Sequence, residues 1–272
     1  MATYLDAILT AHRAAAAADT RPLDELIVEA EAAGPTRGFA DRLRSDAATG
    51  LAVIAEVKRR SPSKGDLAVD LDPAAVAAAY ASGGASCLSV LTDEAFFGGS
   101  IDDLVAARAA CDLPVLRKDF TVCAADVCDA RIMGADAVLL IVAALDDGEL
   151  AELHDLGTHL GLDVLVEVHD EAEAARAVAV GAALIGVNQR DLVSFAVDTE
   201  RAVRVASVLP DDVVRVAESG VRGRDDAAVL AGAGYHAVLV GESVVTAGDR
   251  AGAVQALRTC AVPALGTDHG TR

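Results

Sequence analysis

Glu56 and Lys58 close an apolar run, Leu51-Ala52-Val53-Ile54-Ala55, and stand two residues apart, so in a strand their side chains share one face. The residues that follow, Arg59-Arg60-Ser61-Pro62-Ser63-Lys64-Gly65, gather cations, hydroxyls and a glycine, the composition of a turn that meets an anion. Lysine is otherwise scarce. Of 23 Lys+Arg only Lys58, Lys64 and Lys118 are lysine, leaving 20 arginines. A lysine can release its proton where an arginine cannot. Lysines kept at strand ends therefore point to proton transfer, with a strand-end salt bridge as the alternative reading.

Other polar residues recur in the same kind of place. Lys118 ends Pro114-Val115-Leu116-Arg117-Lys118, Glu167 ends Val164-Leu165-Val166-Glu167, and Asn188 ends Leu184-Ile185-Gly186-Val187-Asn188. Glu218 and Ser219 end Val214-Arg215-Val216-Ala217. Each buried charge costs several kcal/mol unless paired or functional, so five charged or polar strand ends are poorly explained as independent salt bridges. Two turns, Glu218-Ser219-Gly220 and Val240-Gly241-Glu242-Ser243, put glycines where a helix should start and where N–H groups favour an anion. Aromatics are scarce too, with no Trp and five Phe. Phe96, Phe97, Phe120 and Phe195 follow apolar runs, which suggests an apolar slot for a flat ring.

These residues need elements to hold them. From Leu51 onward a short Val/Leu/Ile run is followed by an Ala-rich helical pattern, with runs starting near Leu51, Ala85, Pro114, Ala137, Asp163, Leu184, Val213 and Ala237. Seven steps from 51 to 237 give about 27 residues each, one βα unit. Runs without alternation imply a parallel sheet covered by helices. Helices are expected over 73–81, 100–110, 124–133, 147–160, 171–180, 199–208, 224–231 and 252–258, with Gly134, Gly161, Gly181 and Gly232 as stops. Eight such units predict an α/β protein, a (β/α)8 TIM barrel, over 51–260, preceded by an N-terminal helical extension over 1–50; a doubly wound open sheet is the alternative. The whole chain, 1–272, is expected to be one domain. In a barrel the carboxyl ends of the strands meet at one mouth, where all of the residues above would gather.

Composition narrows the partners. A net charge of −19 argues against nucleic acid and anionic membrane, and leaves a small anionic ligand held by local cations. No apolar run approaches the roughly 18 residues of a membrane span, and Asp6, His12 and Arg13 interrupt any signal-peptide core. A cytoplasmic location is expected. The cysteines at 87, 111, 123, 128 and 260 form no CxxC pair and are expected to be reduced. His12, His154, His159, His169, His236 and His269 show no metal-ligand spacing, and His154 and His159 are expected on a solvated helix face. No metal and no cofactor are expected.

The stretch Ile54-Ala55-Glu56-Val57-Lys58-Arg59-Arg60-Ser61-Pro62-Ser63 resembles the indole-3-glycerol phosphate synthase family. So do Leu116-Arg117-Lys118-Asp119-Phe120, Leu165-Val166-Glu167-Val168-His169, Gly186-Val187-Asn188-Gln189-Arg190-Asp191-Leu192 and Ala217-Glu218-Ser219-Gly220. The similarity runs from about residue 4 to 258. It implies a (β/α)8 barrel with an N-terminal extension. The implied substrate is 1-(2-carboxyphenylamino)-1-deoxyribulose 5-phosphate, closed to indole-3-glycerol phosphate with loss of CO2 and water. By the same resemblance Lys118 would be the general acid of ring closure, and Lys58 and Glu167 would transfer protons. Glu56, Asn188, Arg190 and Glu218 would orient these groups and the substrate. Ser61, Ser219, Gly220, Gly241 and Glu242 would hold the phosphate and glycerol end; Phe97, Phe120, Leu139 and Leu192 would form the ring slot, and Leu239 would also touch the substrate. Gln189 stands where the family usually has Asn, and Glu242 where it often has Ser, so the Glu242 carboxylate is expected to face solvent. A small-molecule substrate and a monomer are the partner expectations. A Schiff-base aldolase of a sugar phosphate and a non-catalytic sugar-phosphate sensor are the rivals. The first would leave a borohydride-trapped adduct; the second would have no need of Lys58, Lys118 and Glu167 together.

Overall fold

A computed structural model describes residues 3–258, except 192 and 194. Three helices come first, α1 (Tyr4–Ala18), α2 (Leu23–Ala32) and α3 (Phe39–Ala47). Thr3 starts α1 in a capping box with Asp6, each side chain accepting from the other residue's N–H. Ten strands follow: β1 (Ala52–Val57), β2 (Arg60–Ser61), β3 (Gly65–Asp66), β4 (Cys87–Leu91), β5 (Val115–Lys118), β6 (Ala137–Ile141), β7 (Asp163–Val168), β8 (Leu184–Asn188), β9 (Val214–Glu218) and β10 (Ala237–Val240). Eight of them form a closed parallel barrel in the order β1-β10-β9-β8-β7-β6-β5-β4. It closes because β1 pairs on both sides, Ala52 with Ala237 and Ile54 with Cys87. The open-sheet alternative is thereby excluded.

Physical reasons for the strands are visible in their burial. All six residues of β1 and all five of β4, β6 and β8 are buried, so β-branched and aliphatic side chains can point to both faces, inward to the barrel and outward to the helices. Ile54, Leu88, Leu116, Leu139 and Leu140 are among the largest fully buried side chains. The expected helices appear with ends shifted by a residue or two, for example Pro73–Ser82 behind the N-cap Asp72 and Arg250–Arg258 in place of 252–258. The helix expected over 199–208 is shorter, Arg201–Ala206. Gly134, Gly161 and Gly181 have positive φ and end helices as expected; the fourth stop is Gly234 (φ 91°), and Gly232 is the last helical residue. The β2–β3 hairpin and a 3-10 turn at Val142–Ala144 carry no sequence signal strong enough to find, and two further short helices, Glu94–Phe97 and Glu242–Val245, follow Asp93 and Gly241.

The N-terminal extension holds the barrel at both ends. At the base, where strands begin, Phe39 and Leu43 of α3 are fully buried, and the Arg37 and Ala40 N–H groups donate to Asp136 (2.7 Å) and Asp163 (2.9 Å). Alongside, Arg21 pairs with Asp129 (2.8 Å) of the helix Ala124–Ile132, and Arg131 donates to the carbonyls of Ala33 and Gly34 that end α2. At the mouth, α1 reaches the loops after the strands: His12 meets Asp93 at 2.9 Å, Arg13 meets Glu149 at 2.7 Å, and Tyr4 packs edge-on against Phe96 and Phe195. Cys87, Cys111, Cys123 and Cys128 are free thiols, and Cys260 lies outside the described residues.

Candidate active site

The carboxyl ends of the strands open into a cavity of about 770 Å3. Glu56, Lys58, Lys118, Glu167, Asn188, Glu218 and Ser219 line it, as do Ser61, Phe97, Phe120, Leu139, Arg190, Leu239, Gly220, Gly241 and Glu242. Leu192 lies outside the described residues. Of the four Phe expected at a ring slot, Phe97, Phe120 and Phe195 line the cavity, whereas Phe96 turns away to pack on Tyr4.

Two charged clusters face each other across this floor. In the first, the Lys58 ammonium contacts Glu56 Oε1, and Ser89 Oγ donates to Glu56 Oε2 at 3.3 Å. Gly241 permits this: a Cβ there would fall on the Glu56 carboxylate and lie 2.8 Å from Lys58 Nζ. In the second, Lys118 Nζ stands 3.5 Å from Glu167 Oε2, and Asn188 Nδ2 donates to Glu167 Oε1 at 3.1 Å. Glu218 shares a hydrogen bond with Glu167, in space that exists only because Gly186 has no side chain. Arg117 points the other way, as strand alternation requires, and donates to the Asp126 carbonyl (2.8 Å) and to Asp119 (3.1 Å) behind the barrel wall.

These groups set each other's ionisation. Burial pushes the Glu218 carboxyl well above the usual carboxylate range, and the Glu167 charge adds to this against the pull of Lys118. Burial also pushes Glu167 up, but Lys118, His169 and the hydrogen bonds from Asn188 and Glu218 outweigh it and hold its pKa below the ordinary value. For Lys118 burial favours the neutral amine, yet the carboxylates of Glu167, Glu218 and Glu56 win and raise its pKa. The resting floor therefore holds an ammonium at 118, a carboxylate at 167 and a carboxylic acid at 218. That is a proton donor, a base and a neutral hydrogen-bond donor within reach of one another.

The two ends of the cavity differ in kind. Phe97 and Phe120 lie 6.3 Å apart between ring centres, tilted 35°, and with Leu139 they give the cavity an apolar slot, while Leu239 lines it from β10, two residues before Gly241. The opposite end is made of the Ser219-Gly220 turn, where both residues have positive φ, the Gly241-Glu242 turn, Ser61 and Lys64. The Glu242 side chain is 45% exposed and pairs with Lys64 at 3.4 Å, so its charge is directed to the rim and partly neutralised. Gln189 is buried, and its amide donates to the Ser219 carbonyl at 2.8 Å, which ties down the turn without entering the cavity.

Three groups escaped the sequence reading. Asp93 accepts from the Phe96 and Phe97 N–H groups (2.5 and 3.0 Å), Asp119 accepts from the Phe120 N–H (2.8 Å), and His12 reaches both carboxylates from α1. An Asp just before a short Phe-containing helix is a detectable N-cap signal; nothing in the sequence connects His12 to either acid. His154, expected in solvent, is largely covered, with a side chain 13% exposed, because it borders the buried stripe Leu150, Leu153 and Gly157. His159 is solvated as expected, 65% exposed.

Comparison with known proteins turns this geometry into a family. A family model described as indole-3-glycerol phosphate synthase matches residues 5–257. The chain belongs to the indole-3-glycerol phosphate synthase family. A protein of that name from Nocardioides sp. is 58% identical over 208 residues, covering 76% of this chain and 80% of that one. Another, from Mycolicibacterium smegmatis, is 52% identical over 260 residues (95% and 94%), and one from Mycobacteroides abscessus 50% over 257 residues (94% of each). Among solved structures, thiamine phosphate pyrophosphorylase from Pyrococcus furiosus superposes with a TM-score of 0.57 at 18% identity, covering 78% of this chain and 95% of that one; it shares the barrel fold alone. The chain is thus an indole-3-glycerol phosphate synthase of tryptophan biosynthesis, a carboxy-lyase.

Proposed function

We propose that the floor of this barrel closes 1-(2-carboxyphenylamino)-1-deoxyribulose 5-phosphate with the aromatic ring in the Phe97–Phe120 slot and the phosphate on the Ser219-Gly220 and Gly241-Glu242 turns. The carrying observation is Lys118 and Glu167, facing each other at 3.5 Å between the two ends. As the ring carbon attacks the ketose carbonyl, negative charge grows on its oxygen, and the Lys118 ammonium stabilises and then protonates it. The raised pKa of Lys118 does not prevent this, because an alkoxide is a stronger base than an amine. Departure of CO2 restores the aromatic ring. Dehydration then needs a proton for the leaving hydroxyl and a base for the ring proton, the roles of Lys58 and Glu167. Asn188 and Glu218 fix the Glu167 carboxylate; Glu56 fixes Lys58; Arg190 and Ser61 contact the substrate at the rim. We further propose one domain, acting as a monomer in the cytoplasm without metal or cofactor. The charge of −19 and the lack, among the described residues, of any helix long and apolar enough to cross a membrane support that setting.

The experiment is substitution of Lys118. Lys118→Ala should lower kcat by on the order of 10^2 to 10^4, the usual worth of a positioned acid, with KM changing far less. Lys118→Arg should restore little, since guanidinium keeps its proton and is the wrong shape. A Lys118→Arg enzyme with near wild-type kcat would mean that position 118 supplies charge alone and that the proton comes from Lys58.

A further inference from the structure

Behind the floor, out of the cavity, lies a pair of groups that the mechanism above leaves unused. His169 is the first residue past β7, two after Glu167, and does not line the cavity. Its Nε2 stands 3.4 Å from Glu167 Oε1, buried and without a hydrogen bond, while its Nδ1 is 3.0 Å from Glu173 Oε2. The same Glu173 oxygen accepts the His169 N–H at 2.7 Å, so Glu173 fixes both the backbone and the ring. The His169 side chain is 11% exposed and Glu173 19%, against 1% for Glu167. The row Glu173, His169, Glu167, Lys118 thus runs from a partly wet carboxylate to the ammonium on the floor.

The reaction gives such a row something to do. Carboxylate leaves as CO2, so the balance is substrate carboxylate plus one H+ giving indole product, CO2 and H2O. One proton is taken up per turnover, and Lys118 is the group that spends it. We propose that His169, held by Glu173, is a positioning residue that stores this proton for Glu167 while substrate covers the mouth. In the step, the Nε2–H bond of the imidazolium breaks as an O–H bond forms on Glu167 Oε1. The neutral ring keeps its Nδ1–H on Glu173, and Glu167 passes a proton from Oε2 to the amine of Lys118. The ring takes its proton back from water once product has left. Burial opposes the imidazolium here, but the hydrogen bond to Glu173 and the charges of Glu167 and Glu173 outweigh it, with Arg201 acting against them, so the ring's pKa lies above its ordinary value. At its cavity end the row also faces the Glu56 carboxylate and the Glu218 carboxyl, both acting on Lys118. The proposal rests on the assignment of Glu167 as a proton-transfer group.

The test is the pH profile of kcat in the full-length protein and three variants. The wild-type rate should fall as pH rises through the His169 pKa. Glu173→Gln, which removes the charge that holds the imidazolium, should move that alkaline limb down by about one pH unit. His169→Gln keeps an N–H donor but no proton to discharge. It should lower kcat by about 10^2, the lower end of the worth of a positioned acid–base group, and erase the limb with KM within about threefold. A His169→Gln enzyme within about twofold of wild type, limb intact, overturns the proposal; were that variant not to fold, an unmoved limb in Glu173→Gln would overturn it alone. Glu167→Gln should be inactive. Wild-type activity there would refute the role of Glu167 itself, a different failure from that of His169.

Discussion

His12 gives the sharpest test of how the N-terminal extension serves the mouth. Its Nε2 donates to Asp93 Oδ2 at 2.9 Å and stands 3.8 Å from Asp119, and its ring lies 5.6 Å from that of Phe120. With side chains 18% and 3% exposed, the His12–Asp93 pair is little screened. The hydrogen bond to Asp93 raises the imidazole pKa above its ordinary value against the effect of burial, helped by the charges of Asp119, Asp93 and Asp126. The sign follows. A group with a raised folded pKa contributes its full stability below the unfolded pKa, about 6.5, and loses it as pH rises through the folded value. Burial pushes Asp93 up, but His12 and the Phe96 and Phe97 N–H groups bring it below its ordinary value, so its side of the pair is lost only in acid. A charge-assisted bond is worth about 1.5–3 kcal/mol and a neutral one about 1. His12→Gln, which keeps a donor without charge, should therefore be about 1 kcal/mol less stable at pH 6, or 2–4 °C in Tm for a chain of this size. Thermal melts of both proteins at pH 6 and pH 9 measure this, and the gap should close at pH 9. A gap of equal size at both pH values would show that His12 acts by packing alone and refute the charged clasp.

Three further outcomes are expected. Dialysis against EDTA should leave the rate unchanged, because in the one cluster of three possible ligands among the described residues, His12, Asp93 and Asp119, both carboxylates already accept protein N–H groups; a loss restored by Mg2+ or Zn2+ would contradict this. Gln189→Asn should change kcat/KM by less than about tenfold, roughly 1.4 kcal/mol, since it shortens the arm that holds the Ser219 carbonyl but leaves the cavity untouched. A thousandfold loss would show that the loop is built around Gln. Gly241→Ala should lower kcat by on the order of tenfold or more with an almost unchanged Tm, since the new methyl displaces the ends of Glu56 and Lys58 and no backbone; full activity would mean that this pair can shift freely.

The barrel was legible because its strands are buried on both faces and read as runs rich in Val, Leu and Ile, while the polar residues that line the cavity stand at or near their carboxyl ends. Parallel strands send those ends to one mouth, so Lys118 and Glu167, 49 residues apart, could be placed together before their distance was known. Contacts made by the extension were not legible. His12 and Asp93 are 81 residues apart, and α1 has no repeat partner from which its position could be inferred. His154 was misplaced because this helix is mixed in character, and which of its edges is covered depends on Val164 packing over Gly157, a tertiary fact. The extension holds both ends because its three helices are separated by breaks at 19–22 and 33–38 that let each take a different direction.

Charge explains why so many ionisable groups can share this floor. With Glu218 protonated, the ammoniums of Lys58 and Lys118 face the carboxylates of Glu56 and Glu167, and the floor is neutral. A third carboxylate charge would repel a substrate that itself carries a carboxylate and a phosphate, so the neutral state of Glu218 serves binding as well as the position of Glu167. Lys64, Arg190 and Arg222 also line the cavity; Lys64 pairs with Glu242 and Arg222 with Asp226 (2.8 Å). In a protein of net charge −19 these three are the cations an anionic substrate meets outside the floor, two of them already shared with a carboxylate. With the floor itself neutral, the groups that hold the phosphate need not also hold the reacting carboxylate, whose departure as CO2 drives the chemistry forward.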